Sequence, residues 1–272
     1  MLTKTINSSP YTLSGYWSKL LRYGYLIHVL ARRELRVKYA NTWLGIGWFF
    51  LQPLAVVLIY SLFFKYLIHI QSDAIPYAPF VFSGLVLWYL FTGIVGKGTY
   101  ALVESAELIT KVPFPRIIVL LAKIIPTIIE CLVLLLLLFI VMLSNHQPIG
   151  WQAFSALFYF IEIAVFSFSL AMLCSTVAVK HRDLAHIIPI AINFGIWLTP
   201  VFYPLSIIPA PYQNYVRYLN PLAAAIEGLR NSLFFDRGIS IPALLIFVTS
   251  GFLLLPAFYY FVKFEKNIVE NL

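Results

Sequence analysis

Charged residues fall in bursts along this chain, separated by long apolar runs. Residues 43–64 and 74–96 are 22 and 23 positions long and carry no charge. The run 118–143 holds one carboxylate, Glu130, and the run 151–179 holds one, Glu162. Residues 184–216 make an uncharged run of 33, and residues 238–262 one of 25. A helix rises about 1.5 Å per residue, so roughly 20 apolar residues cross a bilayer core. The pattern predicts an all-α integral membrane protein with six transmembrane helices, at about 43–66, 76–97, 118–143, 152–179, 184–200 and 240–262. Residues 1–42 precede the six-span domain of 43–262, and residues 263–272 form a tail.

The fifth run is too long and too proline-rich for one helix. It contains Pro189, Pro200, Pro204, Pro209 and Pro211, and each removes a backbone donor and crowds the preceding turn. The span ends near Pro200. The following segment, about 201–235, is apolar yet broken, and backbone at membrane depth must be satisfied within the protein. A re-entrant outer segment between spans 5 and 6 meets that need better than a plain loop.

Before the first span, residues 14–38 show a helical period. Trp17, Leu20, Leu21, Ile27, Ala31 and Leu35 share one sector, and Lys19, Arg22, Arg33 and Arg36 the opposite one. Leu26 and Val29 intrude on the basic side. This is the pattern of an amphipathic helix at a membrane interface.

Composition agrees with lipid as the solvent. Only 11% of residues are charged and the mean hydropathy is +0.87, against about 25% charged in soluble domains. The net charge of +8 is therefore a matter of topology, not of nucleic acid. Fifteen cations lie before span 1, between spans 2 and 3, between spans 4 and 5, and in the tail. Lys65, Arg217, Arg230 and Arg237 are the 4 on the other side. Cations stay cytoplasmic, so both termini are predicted there, as an even span count also requires. The first 40 residues lack the apolar core of a cleaved signal.

Catalytic chemistry is hard to find. The stretch GKGT at 96–99 lacks the leading Gly of a P-loop, where Phe91 stands, and Gly98 occupies the Ser/Thr position. The five histidines are scattered, no Cys/His cluster has metal-ligand spacing, and no G-x-S-x-G elbow occurs. Cys131 and Cys174 lie in apolar runs and suit buried thiols. Glu130 and Glu162 differ, because a carboxylate inside a span marks a pair, a path or a relay. Lys123 is the predicted partner of Glu130. Gln52 and Pro53 interrupt span 1 and require a protein or aqueous neighbour. Aromatic residues gather near them and in later spans: Trp48, Phe49, Trp88, Tyr89, Trp197, Phe202 and Tyr203. These are candidate channel aromatics, since aromatic faces stack on rings without fixing one hydrogen-bond pattern.

Four segments resemble the ABC-2-type permeases of the polysaccharide export class. They are RRELRVKYANTWLGIGWFFLQPL, ELITKVPFPRIIVLLAKII, KHRDLAHIIPIAINFGIWLTPVFYPLSIIP and YLNPLAAAIEGLRNSLF, in order from 32 to 234. One departure is His181 before Arg182 and Asp183, where relatives often have an aromatic. The resemblance implies a permease subunit, not an enzyme, that exports a lipid-linked bacterial polysaccharide, O-antigen-like, across the inner membrane. It implies a second copy of the chain and two separate ABC ATPase subunits holding ATP and Mg, with no cofactor or metal in this chain. Arg32, Arg33, Arg36 and Lys38 then become candidates for the lipid phosphate at the cytoplasmic entry. Glu104, Glu107 and Lys111, spaced to share a helix face, with Phe114, Pro115 and Arg116, become candidates for ATPase coupling. Arg182 and Asp183 mark the entry to span 5. A small-drug or lipid exporter of the same fold is one rival. A membrane enzyme acting on a polyprenyl lipid is another, but Glu104, Glu107 and Asp183 are too sparse for its metal site.

Overall fold

The computed structural model describes residues 13–40, 42–60, 62–63, 75–181 and 183–265. They form eleven α-helices, short 3-10 turns and no strand among the described residues. In chain order the helices are α1 (Leu13–Arg22), α2 (Gly24–Tyr39), α3 (Trp48–Tyr60), α4 (Tyr77–Glu104), α5 (Ala106–Lys111), α6 (Ile117–Ser144), α7 (Ser155–Lys180), α8 (Asp183–Leu198), α9 (Ala210–Leu219), α10 (Pro221–Phe235) and α11 (Ile241–Glu265).

Four helices are long and apolar enough to cross a membrane: α4, α6, α7 with its 3-10 lead-in Trp151–Phe154, and α11. At 28 residues, α4 and α6 each run roughly 42 Å. The apolar helices α3 and α8 have 13 and 16 residues, which is roughly 20 and 24 Å and short of a bilayer core. Both contain a proline, Pro53 in α3 and Pro189 in α8. The second predicted span extends seven residues further than expected, because 98–104 continues the helical register of α4.

Helix α4 is the hub. It packs against α7, α6, α10, α8 and α3, and residues 79–88 are buried without a break. Gly98 makes one of these approaches possible: a Cβ there would stand 2.5 Å from that of Ala171 on α7. Small residues let membrane helices close on each other where no hydrophobic force distinguishes protein from lipid. Helix α11 also packs along α7.

The amphipathic segment before span 1 is two helices, not one. Tyr23 leaves helical geometry at φ −93 and ψ 11, and its hydroxyl donates to the Pro113 carbonyl at 3.3 Å. From there α2 runs along α6 with Ala31 buried between them. The chain's own core thus takes part of the apolar face that the period assigned to lipid.

The segment after α8 folds back as a pair of short helices. Asn220 caps α10, its Oδ1 accepting from the Leu222 and Ala223 amides at 3.1 and 3.2 Å. Pro221 then takes the first helical position, where its missing N–H costs nothing. Helix α10 is mostly buried against α7, α4 and α11, whereas α9 has no buried residue.

Candidate functional site

Two clusters of charge join the same three helices. On the first, Lys123 of α6 donates to Glu104 of α4 at 2.8 Å and to Glu34 of α2 at 3.1 Å. On the second, Glu130 Oε1 of α6 accepts from Lys38 Nζ and from the Tyr39 hydroxyl, both of α2, at 2.8 Å each. Lys97 Nζ of α4 stands 3.9 Å from the other Glu130 oxygen. Glu104 and Lys97 are seven residues apart on α4, and so are Lys123 and Glu130 on α6. The clusters are therefore two rungs, two helical turns or roughly 10 Å apart.

The rungs have opposite sign. One cation sits between two carboxylates in the rung nearer the ends of α4 and α6, and one carboxylate sits between two cations in the deeper rung. Burial pulls the Lys38 ammonium down, but hydrogen bonds to Glu130 and Tyr39 together hold it above the ordinary lysine value. Burial pushes the Tyr39 hydroxyl up. The partner expected for Glu130, Lys123, belongs to the other rung. A straight helix carries Lys123 two turns away from Glu130, beyond side-chain reach, while α2 delivers Lys38 alongside.

A cavity of about 420 Å³ opens at the deeper rung. Besides Lys38, Lys97 and Glu130, it is lined by Trp48, Gln52 and Tyr89. Gln52 and Pro53 line the same cavity as the charged groups of the deeper rung, where the broken backbone of a span has protein neighbours. A second cavity of about 360 Å³ lies between the rungs.

The chain's basic end is tied together by Glu265, the last residue of α11. Its carboxylate accepts from the Tyr16 hydroxyl of α1 at 2.7 Å and from the Arg116 backbone N–H at 2.9 Å. Burial and the neighbouring Glu265 push the Tyr16 hydroxyl far above its usual value, so it stays protonated. Arg116 folds back to donate to the Phe114 carbonyl at 2.8 Å, and Phe114 and Pro115 are buried. Glu107 and Lys111 pair with each other on exposed α5. Glu104 does not share their face: the helix breaks at Ser105, leaving Glu104 as the last residue of α4 and bonded to Lys123.

Other predicted site residues fall into three groups. Arg32, Arg33 and Arg36 are exposed on α2, and Trp48, Trp197 and Asp183 are exposed as well. Tyr89 and Tyr203 are half-buried, and the Tyr203 hydroxyl donates to the Trp197 carbonyl at 2.9 Å. Trp88 and Phe202 correct the expectation of a channel-facing role. They are 5% and 1% exposed, and Phe202 stacks on Tyr60 at 4.0 Å. Their rings fill the core between α3, α4 and the turn after α8, where a bulky apolar side chain is worth most. Arg182 and the Phe49 side chain lie outside the described residues.

Sequence reasoning missed the opposite end. Arg230 of α10 is 3% exposed and its guanidinium donates to the carbonyls of Pro200 and Val201 at 2.7 Å each and of Phe80 at 3.1 Å. It also lies 3.6 Å over the Phe80 ring. Asn220 adds a bond from Nδ2 to Thr199 Oγ1 at 3.0 Å. Together they fasten the α9–α10 pair to the end of α8. Glu162 is fully buried on α7, with neither oxygen hydrogen-bonded among the described residues.

The helical hub, the α9–α10 pair and the basic end together make up the described architecture. The family model described as ABC-2 type transporter matches residues 25–234. The chain belongs to the ABC-2 type transporter family. The match runs from the start of α2 to the end of α10, so both rungs and the Arg230 clamp lie within it. Similar to this ABC-2 chain is the O-antigen export system permease protein RfbA of Myxococcus xanthus, 29% identical over 80% of this chain and 83% of the relative. RfbA of Klebsiella pneumoniae is 25% identical over 84% and 87%, respectively. The polysialic acid transport protein KpsM of Escherichia coli is 23% identical over 81% and 87%.

Proposed function

We propose that this ABC-2 chain is the permease subunit of an exporter that moves a lipid-linked bacterial polysaccharide, O-antigen-like, across the inner membrane. The observation that carries the reading is the family match together with relatives named for O-antigen and polysialic acid transport over four-fifths of this chain. Six spans make the membrane domain: the four long helices, plus α3 and α8. Both termini are cytoplasmic, because Lys111, Arg116, Lys180 and Lys263 gather at the end of the bundle where α4, α7 and α11 finish. The α9–α10 pair is then the re-entrant outer segment.

The energy comes from two ATPase subunits docked on the cytoplasmic end. Exposed α5, with Glu107 and Lys111, is a contact a partner could push. Buried Phe114 and Pro115 make the corner stiff, and the Glu265 tie passes a displacement to α1, α6 and α11 together. Two copies pair to enclose the path. Trp48, Leu51 and Leu58 of α3 and Phe194, Trp197 and Leu198 of α8 are exposed on the single chain, which supports a second copy against these helices. Arg32, Arg33 and Arg36 form the cytoplasmic approach for the lipid phosphate.

Deletion of the gene tests the reading. Lipid-linked glycan should accumulate inside the cell and surface glycan should disappear, restored by the wild-type copy. Normal surface glycan in the deletion strain would overturn it.

A further inference from the structure

Each rung can lose its α2 member without stranding a charge. In the first rung Glu34 and Glu104 share Lys123, at 3.1 and 2.8 Å. In the deeper rung Lys38 and Lys97 share Glu130, at 2.8 and 3.9 Å. Three cations and three carboxylates make the ladder neutral. The two charges on α6, Lys123 and Glu130, have side chains only 16% exposed, so each needs a partner at all times. Without α2 they keep one each: Glu104 for Lys123 and Lys97 for Glu130. On α2 itself, Glu34 and Lys38 stand four residues apart with the carboxylate first, the favoured order for a pair on one helix. The six charges are therefore matched whether α2 is bound or lifted.

The apolar hold on α2 is confined to its first half. Leu26, Ile27 and Leu30 pack on the core, and Ala31 is buried. From Arg32 to Tyr39 no residue is buried, and Val37 is exposed. Glu34, Lys38 and the Tyr39 hydroxyl supply polar contacts there. Lys38 is also a wall of both cavities, of about 420 and 360 Å³, with Lys97 lining each of them as well.

We propose that residues 32–39 of α2 form a lid over the two cavities, and that the rungs are its two-state latch. Closed, Glu34 and Lys38 complete the rungs. Open, α2 pivots at Ala31, Glu34 turns to Lys38, and Lys97 closes on Glu130. The Tyr39 hydroxyl passes to water, and both cavities join the surface. At 3.9 Å, the longest contact of the ladder, Lys97 is the reserve partner of Glu130: near enough to take over, too far to displace Lys38. Glu104 plays the same part for Lys123. Because neither state leaves a buried charge alone, the two lie close in free energy and a modest push on α2 moves the equilibrium. Neither state depends on what the permease carries.

The test uses the full-length chain in phosphatidylcholine nanodiscs, with nitroxide labels at Val37→Cys and Leu143→Cys, both exposed positions, and with Cys131→Ala and Cys174→Ala. Pulsed electron resonance reads the distance from α2 to the far end of α6, and the open lid gives a second distance. Glu34→Gln weakens the closed state and should raise the open population about fivefold. Adding Lys97→Met should lower it again by a similar factor, because α2 would then leave Glu130 alone. A static brace in which Lys97 helps to hold α2 predicts the opposite sign, a further rise. Glu104→Gln makes the same test on the first rung, so the latch can be refuted even where Lys97→Met folds poorly. A single distance in every variant, or a rise with either α4 substitution, overturns the proposal.

Discussion

Replacing Arg230 by methionine should loosen the end of the molecule that holds the α9–α10 pair more than any other single change there. The side chain is 3% exposed and its two Nη atoms hold the Pro200 and Val201 carbonyls at 2.7 Å. Methionine fills much of the volume but donates nothing. The Phe80 carbonyl keeps the Ser83 hydroxyl at 2.8 Å, so the cost falls on the other two. A buried acceptor that loses its donor costs about 1–3 kcal/mol, so the pair amounts to roughly 4 kcal/mol. That corresponds to a fall in melting temperature on the order of 10 °C. The assay is thermal unfolding of the detergent-solubilised complex, followed by size-exclusion fluorescence. Arg230→Lys keeps the charge but lacks the fork that reaches several carbonyls, so it should recover less than half of the loss. If Arg230→Met melts within about 2 °C of the wild type, the carbonyls are not held by this residue and the clamp is refuted.

Other consequences are smaller or differ in sign. Gly84→Ala places a Cβ 2.9 Å from Arg230 Nη2 and 3.0 Å from the Val201 carbonyl; the same clamp should weaken by about 1–3 kcal/mol, read by the same melt. Glu162→Gln exchanges a buried carboxylate without hydrogen bonds among the described residues for a neutral isostere and should raise the melting temperature; a fall would mean the charge has an undescribed partner. Glu107→Lys breaks only an exposed pair worth about 0–1 kcal/mol, so the fold should persist while ATP-driven export drops in a vesicle assay. With its folded value raised, the Lys38 contribution is fully present below the ordinary lysine pKa of about 10.4 and is lost as pH rises through the higher folded value. The melting temperature should therefore show no loss from Lys38 between about pH 7 and 9, and a Lys38-dependent fall in that window would contradict the Glu130 bond.

The apolar runs alone determine that this is a helical membrane protein, because length and charge exclusion are properties of consecutive residues. They place α4, α6, α7 and α11 closely, and they mark the regions of α3 and α8. The basic end is equally legible, since charge bias is a simple sum along the chain.

Partnership is not legible in the same way. Glu130 reads as a neighbour of Lys123 on one helix, yet it meets Lys38, Tyr39 and Lys97 because α2 runs along α6 and places its C-terminal turn beside the middle of that helix. The seven-residue spacings from Lys97 to Glu104 and from Lys123 to Glu130 are visible in the chain, but only the packing of α4 on α6 turns them into rungs. Trp88 and Phe202 look the same in sequence as Trp48 and Trp197, and tertiary contact alone separates core rings from exposed ones. Arg230 enters the sequence as one cation among the outer four. Its role exists only where two chain segments far apart in sequence, at Phe80 and at Pro200 and Val201, bring their carbonyls to one point, and no local pattern encodes such a meeting.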